Sequence, residues 1–355
     1  MSDKIKLGLV FGGQSGEHEV ARVSAYNVLQ AINQDKYDIT TIGITKDGRW
    51  MIYSGDWDKL PDGSWEKDAD HLRTDFSIFT DPEIQAIDIF WPMMHGPMGE
   101  DGTIQGVFEM MNKPYVGCGV LASAVGMDKV VSKILFERAG IPVVPYVYFY
   151  GREWQDDRDK WVQASEDKLG YPVFIKPVNM GSSVGITKAH GRDEFIAGVD
   201  NALQYDSKIL IETAVNAREI ECAVLEEDGK IRTTLPGEVV ASKEFYDYEA
   251  KYADDQDSKI VIPAQIDAAI IEKIRDYAHD AFAAIDGSGP TRADFFVDRD
   301  TQDVYINEVN TMPGFTDISM YPKMWENMGV AYGDLIERLI QTAKRKKVTD
   351  YTKKV

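Results

Sequence analysis

The chain has 355 residues, of which 44% are hydrophobic and 28% charged, and its formal net charge is -20. This length suits two or three packed units, and the composition is that of an ordinary soluble globular protein. The acidic balance argues against nucleic acid as the main partner, because phosphate binding needs a basic face. No apolar run reaches the roughly 18 residues of a membrane span, and the stretch Leu7–Phe11 is too short for a signal peptide. Cys118 and Cys222 form neither a disulfide framework nor a metal-ligand spacing, so we expect a cytoplasmic protein without a membrane partner.

Predicted strands and helices alternate in the first 121 residues. Apolar or β-branched runs predict strands at Lys6–Phe11, Asp38–Ile44 and Ile87–Met93. Between the first two strands, apolar residues recur at helical spacing at Ala21, Ala25, Val28, Leu29 and Ile32. This alternation predicts a parallel sheet with helices on its faces. The polar segment Lys46–Pro82 is weakly periodic, and we interpret it as an insertion.

Two further units are predicted after residue 121. In the second unit a helix presents an apolar face and stops at Gly140, and strands follow at Tyr146–Tyr150 and Val173–Lys176. The residues of that helix face are Met127, Val131, Ile134 and Leu135. The third unit contains the predicted strand Ile220–Glu226, the helix Ile266–Ile285, and two strands at Arg292–Asp298 and Asp303–Asn310.

The last two predicted strands, RADFFVD and DVYINEVN, form a hairpin with acidic residues on it. If Asp298 lies opposite Val304, Asp294 falls opposite Glu308, with Cβ atoms roughly 5 Å apart. Like charges so placed destabilise a hairpin, so a positive group should lie between them. The two carboxylates and the Asn310 amide are oxygen ligands that suit Mg²⁺ bound together with phosphates. A solvated acidic turn is the alternative, and these residues alone leave both interpretations open.

The segment VFIKPVNMGSSVGI places Lys176 in an apolar strand before the glycine-serine loop Gly181–Gly185. Backbone N–H groups of such a loop can bind phosphates, and the lysine adds a positive charge. The spacing is not that of a P-loop. A glycine-serine loop alone is more often only a turn.

The segment GGQSGEHEV connects the first predicted strand to its helix. It lacks the GxGxxG spacing of a dinucleotide site. Glu17 is either an acidic residue that complements the helix dipole or a partner for an ammonium group. The loop MMHGPMGEDGT, which contains His95, follows the third predicted strand and is a candidate wall of a site.

Seven segments, in family order along nearly the whole chain, resemble the D-alanine–D-alanine ligase family: GGQSGEHEVARVSA, HGPMGEDGTIQG, MDKVVSK, KPVNMGSSVGI, EFYDYEAKY, RADFF and NEVNTMPGFT. The resemblance implies an α/β (α+β) three-domain ATP-grasp fold. An N-terminal Rossmann-like parallel-sheet domain is expected at residues 1–121, a central subdomain at 122–215 and a C-terminal subdomain at 216–355. ATP is expected between the last two, with two Mg²⁺ or Mn²⁺ ions, two D-alanine substrates and a homodimeric assembly.

The resemblance also implies roles for matching positions. The expected ATP contacts are Lys129, Lys176, Ser182, Ser183, Glu212, Ala214, Val215, Glu219, Lys251, Phe296, Asn307 and Glu308. The expected metal ligands are Asp294, Glu308 and Asn310. Glu17 matches the residue that receives the ammonium of the first D-alanine, with His95 nearby, and Ser319 matches a contact to the carboxylate of the second. Arg292 and the N–H of Gly314 match the oxyanion site.

Tyr252 lies with Lys251 on the loop that is expected to close over the substrates. Its hydroxyl is expected to form a hydrogen-bonded network with Ser182 and Glu17. One group of relatives that make D-alanyl-D-lactate carries Phe at this position, so the resemblance implies that the hydroxyl should favour an amine as the second substrate. Tyr252→Phe should therefore shift the product toward D-alanyl-D-lactate.

Three rival functions remain open at this stage. Within the family, the alternative is a ligase that makes D-alanyl-D-lactate or D-alanyl-D-serine. A nicotinamide dehydrogenase would use the N-terminal β-α-β unit, but the glycine spacing and the acidic hairpin weigh against it. A non-catalytic ATP-grasp module is disfavoured because the motif residues that can be placed are all present.

Overall fold

The computed structural model describes residues 4–240, 259–316 and 318–345. Its strands form three sheets of five, four and six strands. None of the helices in these ranges combines the length and the apolar content that a membrane crossing requires.

The first sheet has the order β4-β3-β2-β1-β5, and β1 at its centre pairs in parallel with β2 and β5. The three strands predicted here are confirmed to within two residues, and the first predicted helix is confirmed but begins at His18, three residues before Ala21. The elements are β1 (Ile5–Gly12), α1 (His18–Ala31), β2 (Tyr37–Ile44), β3 (Trp50–Tyr53), β4 (Leu72–Arg73), α2 (Pro82–Gln85), β5 (Ile89–Met93) and α3 (Thr103–Met110), with 3-10 turns at Trp57–Lys59, Ser64–Lys67 and Ala69–His71.

The segment interpreted as an insertion extends this sheet. Its strands β3 and β4 add antiparallel neighbours to β2. Trp65 is fully buried and packs edge-on against Phe11, with 4.9 Å between ring centroids. A Cβ atom on Gly43 would lie 2.2 Å from the Trp65 ring, so this position must be glycine. The segment therefore contributes to the N-terminal core despite its polar composition.

The second sheet has the order β6-β9-β7-β8 and is antiparallel. The elements of this part are α4 (Val120–Met127), α5 (Lys129–Arg138), β6 (Tyr146–Tyr150), α6 (Gly151–Asp156), α7 (Arg158–Leu169), β7 (Val173–Pro177), β8 (Thr187–Ala189), α8 (Arg192–Ala202) and β9 (Lys208–Thr213).

The helix predicted through Met127 and Leu135 is two helices, because Asp128 interrupts it. The Asp128 carboxylate accepts hydrogen bonds from the first N–H groups of α5 and begins a new helix there. The predicted apolar face is wrong for Ile134, whose side chain is 46% exposed. The buried side of α5 consists of Val130, Ser132, Lys133 and Phe136.

The third sheet has the order β13-β12-β10-β14-β15, and β11 also pairs with β10. The elements are β10 (Ala217–Glu227), β11 (Lys230–Thr233), β12 (Gly237–Val240), β13 (Lys259–Val261), α9 (Ala268–Ala284), β14 (Thr291–Asp298), β15 (Val304–Asn310), α10 (Met320–Asn327) and α11 (Tyr332–Arg345). Helix α9 covers the apolar face of this sheet. Helices α10 and α11 instead join the core of the first sheet, so the last two described helices share one apolar cluster with the N-terminal sheet.

Candidate active site

One face of the third sheet carries most of the predicted polar site residues. Glu221 on β10, Asp294 on β14 and Glu308 on β15 lie opposite one another across the three strands. Side chains two residues away along each strand share this face because strand side chains alternate. They line a small cavity of about 60 Å³ whose polar residues are Glu219, Glu221, Arg292, Asp294, Asn307 and Glu308.

The predicted hairpin register is wrong at the turn and correct at the acidic end. Val297, and not Asp298, lies opposite Val304, whereas Asp294 does pair with Glu308. The register shifts between Asp294 and Phe295, which leaves Asn307 as the additional residue of a β-bulge. Asn307 and Glu308 are therefore both partly exposed, and the buried positions of the strand resume at Val309. The bulge gives this strand two consecutive polar residues at the site.

Cations of the protein compensate the facing carboxylates. Arg292 binds both oxygens of Asp294, through Nε and Nη2 at 2.7 Å each, and its Nε lies 3.1 Å from Glu221. Burial works to lower the pKa of Arg292, but Asp294 and Glu221 raise it well above its ordinary value. Lys129 Nζ lies 3.0 Å from Glu308 Oε2, and the same carboxylate raises the pKa of Lys129 against the effect of burial. The positive charge expected between the acids is supplied here by side chains.

The donor chemistry of this face also fits divalent cations. Four carboxylates, those of Glu219, Glu221, Asp294 and Glu308, share the face. Arg292 pairs with Glu221 and Asp294, and Lys129 pairs with Glu308. Hard oxygen donors and an excess of negative charge suit Mg²⁺. In the described ranges, no three His, Cys, Asp or Glu side chains are arranged to hold a metal alone. The remaining ligands would therefore have to be phosphate oxygens and water, as is usual for Mg²⁺ at nucleotide sites.

Glu212, at the end of β9, lies between two buried lysines. Its Oε1 is 2.6 Å from Lys133 Nζ and its Oε2 is 2.6 Å from Lys176 Nζ, and the side chains of Lys133 and Glu212 are almost completely buried. The Lys133 contact is an ion pair without hydrogen-bond geometry. Burial alone would raise the pKa of Glu212, but the two lysines lower it to about 2. Burial lowers the pKa of Lys133.

Lys176 connects this group to the acidic face. Its Nζ donates to Asn307 Oδ1 at 3.4 Å and lies 5.9 Å from the centre of the Phe296 ring. Beyond β9, the N–H of Ala214 donates to Pro172 O at 3.0 Å, whereas the N–H of Val215 makes no hydrogen bond with a described residue. Of these two backbone donors, that of Val215 is therefore the one not used by the described residues.

The glycine-serine loop contacts the N-terminal part of the chain. Ser182 and Ser183 both have left-handed backbone conformations, with φ of 50° and 60°, which are uncommon for residues other than glycine and cluster at functional sites. Ser182 Oγ donates a 2.5 Å hydrogen bond to Glu17 Oε1. Lys129 Nζ also donates to Met180 O at 2.8 Å, just before the loop. The loop is thus held against both Glu17 and the lysine of the acidic face.

A turn after β15 carries Gly314, and Ser319 lies beside it at the start of α10. Ser319 Oγ accepts the N–H of Thr316 at 3.0 Å and lies 2.7 Å from its hydroxyl. A Cβ atom on Gly314 would be 2.9 Å from Ser319 Oγ. His95 does not extend freely into the site, because its ring nitrogens bind Ser24 and the carbonyl of Met312.

Two predicted site residues, Lys251 and Tyr252, lie outside the described residues. Several of the other predicted positions are linked by direct contacts. Lys129 connects the acidic face to the glycine-serine loop, and the loop reaches Glu17. Lys176 connects the buried lysines to the acidic face.

Two family descriptions match the chain: D-ala D-ala ligase N-terminus over residues 6–118, and D-ala D-ala ligase C-terminus over residues 135–341. The chain belongs to the D-alanine–D-alanine ligase family. The D-alanine–D-alanine ligase of Acetivibrio thermocellus is 50% identical over 365 residues, covering 97% of this chain and 96% of that protein. The enzyme of the same name from Clostridium novyi is 49% identical over 346 residues, covering 96% and 98%.

Solved structures of this family are also similar. The VanG D-Ala:D-Ser ligase from Enterococcus faecalis matches with a TM-score of 0.87 and 36% identity, covering 96% of this chain and 100% of that one. The D-alanine–D-alanine ligase from Coxiella burnetii matches with a TM-score of 0.84 and 33% identity, covering 97% and 94%. The fold of this family member is therefore the ATP-grasp fold, as predicted, and the family is ATP-dependent.

Three residues that contact the predicted site positions are not predicted from the sequence of this D-alanine–D-alanine ligase family member. The apolar spacing in the sequence predicts a different buried face for α5 and so does not select Lys133, although its spacing of four from Lys129 puts both on one side of the helix. Glu221 is placed opposite Asp294 only by the pairing of β10 with β14, and this pairing cannot be predicted from the local sequence. Ser24 is a small polar residue within the predicted apolar stripe of α1, and nothing in its neighbourhood distinguishes it.

Proposed function

We propose that this chain joins two D-alanines into D-alanyl-D-alanine for peptidoglycan precursors, with conversion of ATP to ADP and phosphate. The hydrogen bond between Ser182 and Glu17 is the observation that carries the proposal. It brings a carboxylate that can receive an ammonium group next to a loop whose backbone suits phosphates. An amino acid held at Glu17 would present its own carboxylate toward the γ-phosphate of ATP.

In the first step the carboxylate oxygen of the first D-alanine attacks the γ-phosphorus, and the bond from phosphorus to ADP breaks. An acyl phosphate forms. Phosphoryl transfer requires mainly positioning and charge neutralisation from the protein. Lys129 and Lys176 lie at the edge of the acidic face and would contact the phosphates. Asp294, Glu308 and Asn310 would hold two Mg²⁺ or Mn²⁺ ions, which would supply further charge neutralisation at the transferred group.

In the second step the amine of the second D-alanine attacks the acyl carbon. Negative charge develops on the carbonyl oxygen, phosphate leaves, and the amine loses a proton. Arg292 uses Nε and Nη2 for Asp294 and Glu221, so its Nη1 remains for this oxygen together with the N–H of Gly314. Such donors act because they are fixed before charge develops. Ser319, beside Gly314, would contact the carboxylate of the second substrate.

We further propose roles for the nucleotide side of the site. Glu212, the backbone at Ala214 and Val215, and Phe296 would surround the adenine, and Glu219 would bind the ribose. Ser183 would join Ser182 in the phosphate loop. Lys251 and Tyr252 would close over the substrates, which protects an acyl phosphate from water.

The organisation of the chain is part of the proposal. We infer domain boundaries near residues 121 and 215, a homodimer, and a cytoplasmic location. The helices after the first boundary contact both neighbouring units: Ala122 of α4 and Phe136 of α5 pack in the core of the third sheet, and Val130 of α5 packs against Leu210 of the second sheet.

A ligase that uses D-serine as second substrate is the second candidate. The similarity to the VanG D-Ala:D-Ser ligase, with a TM-score of 0.87, favours it. D-alanine is preferred because the relatives that are 49–50% identical are D-alanine–D-alanine ligases.

Phosphate release in the presence of D-alanine, ATP and Mg²⁺ tests the proposed function. We expect release only when all three are present. A dehydrogenase would instead change nicotinamide absorbance, and a binding module would release no phosphate.

A further inference from the structure

We propose that Ser24 and His95 are positioning residues that fix the Gly314 N–H for the second reaction step. The inference rests on the proposed function, because it concerns the oxyanion that forms there. Neither residue was assigned this role from the sequence. The side chain of Ser24 is completely buried and that of His95 is 4% exposed, so neither is a surface residue.

The turn Met312–Phe315 leaves one N–H group for a ligand. The N–H of Met312 donates to Asn310 Oδ1 at 3.1 Å, and that of Phe315 donates to Ser24 Oγ at 3.4 Å. Pro313 has no N–H. The N–H of Gly314 makes no hydrogen bond with any residue that the structure describes. The turn is suited to bind an oxyanion, because its other backbone N–H groups already donate within the protein and that of Gly314 does not.

Ser24 and His95 hold this turn at both ends. His95 Nδ1 lies 3.0 Å from Met312 O, and a carbonyl only accepts, so Nδ1 carries the hydrogen. His95 Nε2 lies 3.1 Å from Ser24 Oγ, which accepts the Phe315 N–H in turn. These contacts cross 217 and 291 positions of sequence, from the N-terminal part of the chain to the turn after β15.

We call the contacts of Ser24 and His95 with the turn Met312–Phe315 the clamp. Helix α1 connects this clamp to the proposed ammonium site. Glu17 precedes the helix, and Ser24 lies seven residues later in it. A helix rises about 1.5 Å per residue, so the two positions are separated by about 10 Å of a rigid element. The proposed acceptor for the ammonium of the first D-alanine and the donor for the oxyanion are therefore both held by α1. A change at Ser24 would disturb the oxyanion donor at Gly314 and leave the ammonium acceptor at Glu17 in place.

The clamp should act on one chemical step. Forming the acyl phosphate creates no charge on the acyl oxygen, whereas attack by the amine does. If Gly314 is misplaced, the acyl phosphate still forms but is captured slowly. Uncaptured acyl phosphate is then hydrolysed, which returns D-alanine and releases phosphate without a dipeptide. The ratio of phosphate to dipeptide should rise above one.

Ser24→Ala and His95→Asn test the inference, with Ser165→Ala as the control. The side-chain nitrogen of Asn can stand where Nδ1 donates to Met312 O, so His95→Asn should retain more activity than His95→Ala. Ser165 is also buried, at 2% exposure, but lies on α7 beside the second sheet. We expect Ser24→Ala and His95→Ala to lower the rate of dipeptide formation by about ten- to a hundredfold. KM for ATP should stay unchanged, and the phosphate-to-dipeptide ratio should exceed one.

The unmodified chain is measured first, with phosphate and dipeptide quantified in the same sample. No dipeptide from it overturns the proposed function and this inference with it. A working parent with a ratio of one in Ser24→Ala, in a variant whose melting curve shows a folded protein, overturns the inference alone. If Ser24→Ala does not fold, the same comparison is made between His95→Asn and His95→Ala, and equal rates for the two overturn the inference.

Discussion

Ser182 Oγ donates a 2.5 Å hydrogen bond to Glu17 Oε1 across 165 positions of sequence. Glu17 is also confined by its neighbours, because Cβ atoms on Gly96 and Gly181 would lie 2.6 and 3.0 Å from its Oε2. The carboxylate is therefore enclosed by two glycine-containing loops from different parts of the chain.

Ser182→Ala should raise KM for D-alanine and lower the ligation rate. Loss of a hydrogen bond to a charged group costs about 1.5–3 kcal/mol, or about ten- to a hundredfold. Steady-state kinetics of phosphate release measure both the KM for D-alanine and the ligation rate. Ser207→Ala is the control, since that side chain is exposed and outside the loop. Equal KM values for the two variants would show that the contact does not serve substrate binding.

Asp294→Asn and Glu308→Gln should nearly abolish ligation and weaken binding of Mg²⁺-ATP. Removing a repulsive charge would by itself stabilise the hairpin. Both acids already bind cations here, so the variants should instead lower the melting temperature without nucleotide. Calorimetric titration and thermal melting measure the two effects. Asp300→Asn, in the exposed turn of the same hairpin, should change neither, and activity of the site variants within a few-fold of the parent would refute the metal assignment.

Arg292→Lys should strongly lower the turnover of the enzyme although the positive charge remains. A lysine cannot reproduce the paired contacts of Nε and Nη2 with Asp294 and still offer a third donor to the oxyanion. Losing one such donor costs about 3 kcal/mol in the barrier. Turnover close to that of the parent would show that Arg292 is structural. Arg275→Lys, on the outer helix α9, is the matched control.

Glu212→Gln should remove part of the acid sensitivity of folding. The folded-state pKa of Glu212 is about 2, below its ordinary value of 4.5. Unfolded chains therefore take up this proton first, and the stabilisation that is present above about pH 4.5 is lost as pH falls toward 2. The shift corresponds to about 3 kcal/mol. Urea unfolding between pH 6 and 3 should show a shallower loss in the variant, and parallel curves would contradict the assignment.

Lys133→Met should raise KM for ATP more than it changes kcat, because Lys133 orients Glu212 and does not contact the transferred phosphate. Removing one partner of a buried ion pair also costs about 3–5 kcal/mol of stability. Kinetics at saturating D-alanine separate KM from kcat. Lys168→Met, an exposed lysine on α7, should leave both parameters near those of the parent. A drop in kcat at unchanged KM would contradict this role.

Local patterns were sufficient for the predicted strands and for α1. Alternation and helical spacing depend on neighbours along the chain, and β1, β2 and α1 bury the residues that these patterns select. The bulge at Asn307 was not predictable, because one additional residue in a strand is determined by pairing with β14. The predicted pairing of Asp294 with Glu308 is nevertheless correct, because the additional residue in the bulge offsets the one-residue error of the register predicted at the turn.

Residues that act through distant contacts were missed for a related reason. The sequence around Lys133 is that of a surface lysine, and its partner Glu212 lies on β9, far along the chain. The sequence around Ser24 is that of an ordinary helix position, and its partner Phe315 lies in the turn after β15. Family motifs predict Glu17, Ser182 and Gly314 as site residues, but they do not show what holds these residues in place.

The most direct test of the proposed activity is product analysis from an equimolar mixture of D-alanine, D-serine and D-lactate with Mg²⁺-ATP. We predict D-alanyl-D-alanine as the main product, separated by chromatography and identified by mass. D-alanyl-D-serine or D-alanyl-D-lactate as the main product, or no ligation product at all, would contradict the proposed function.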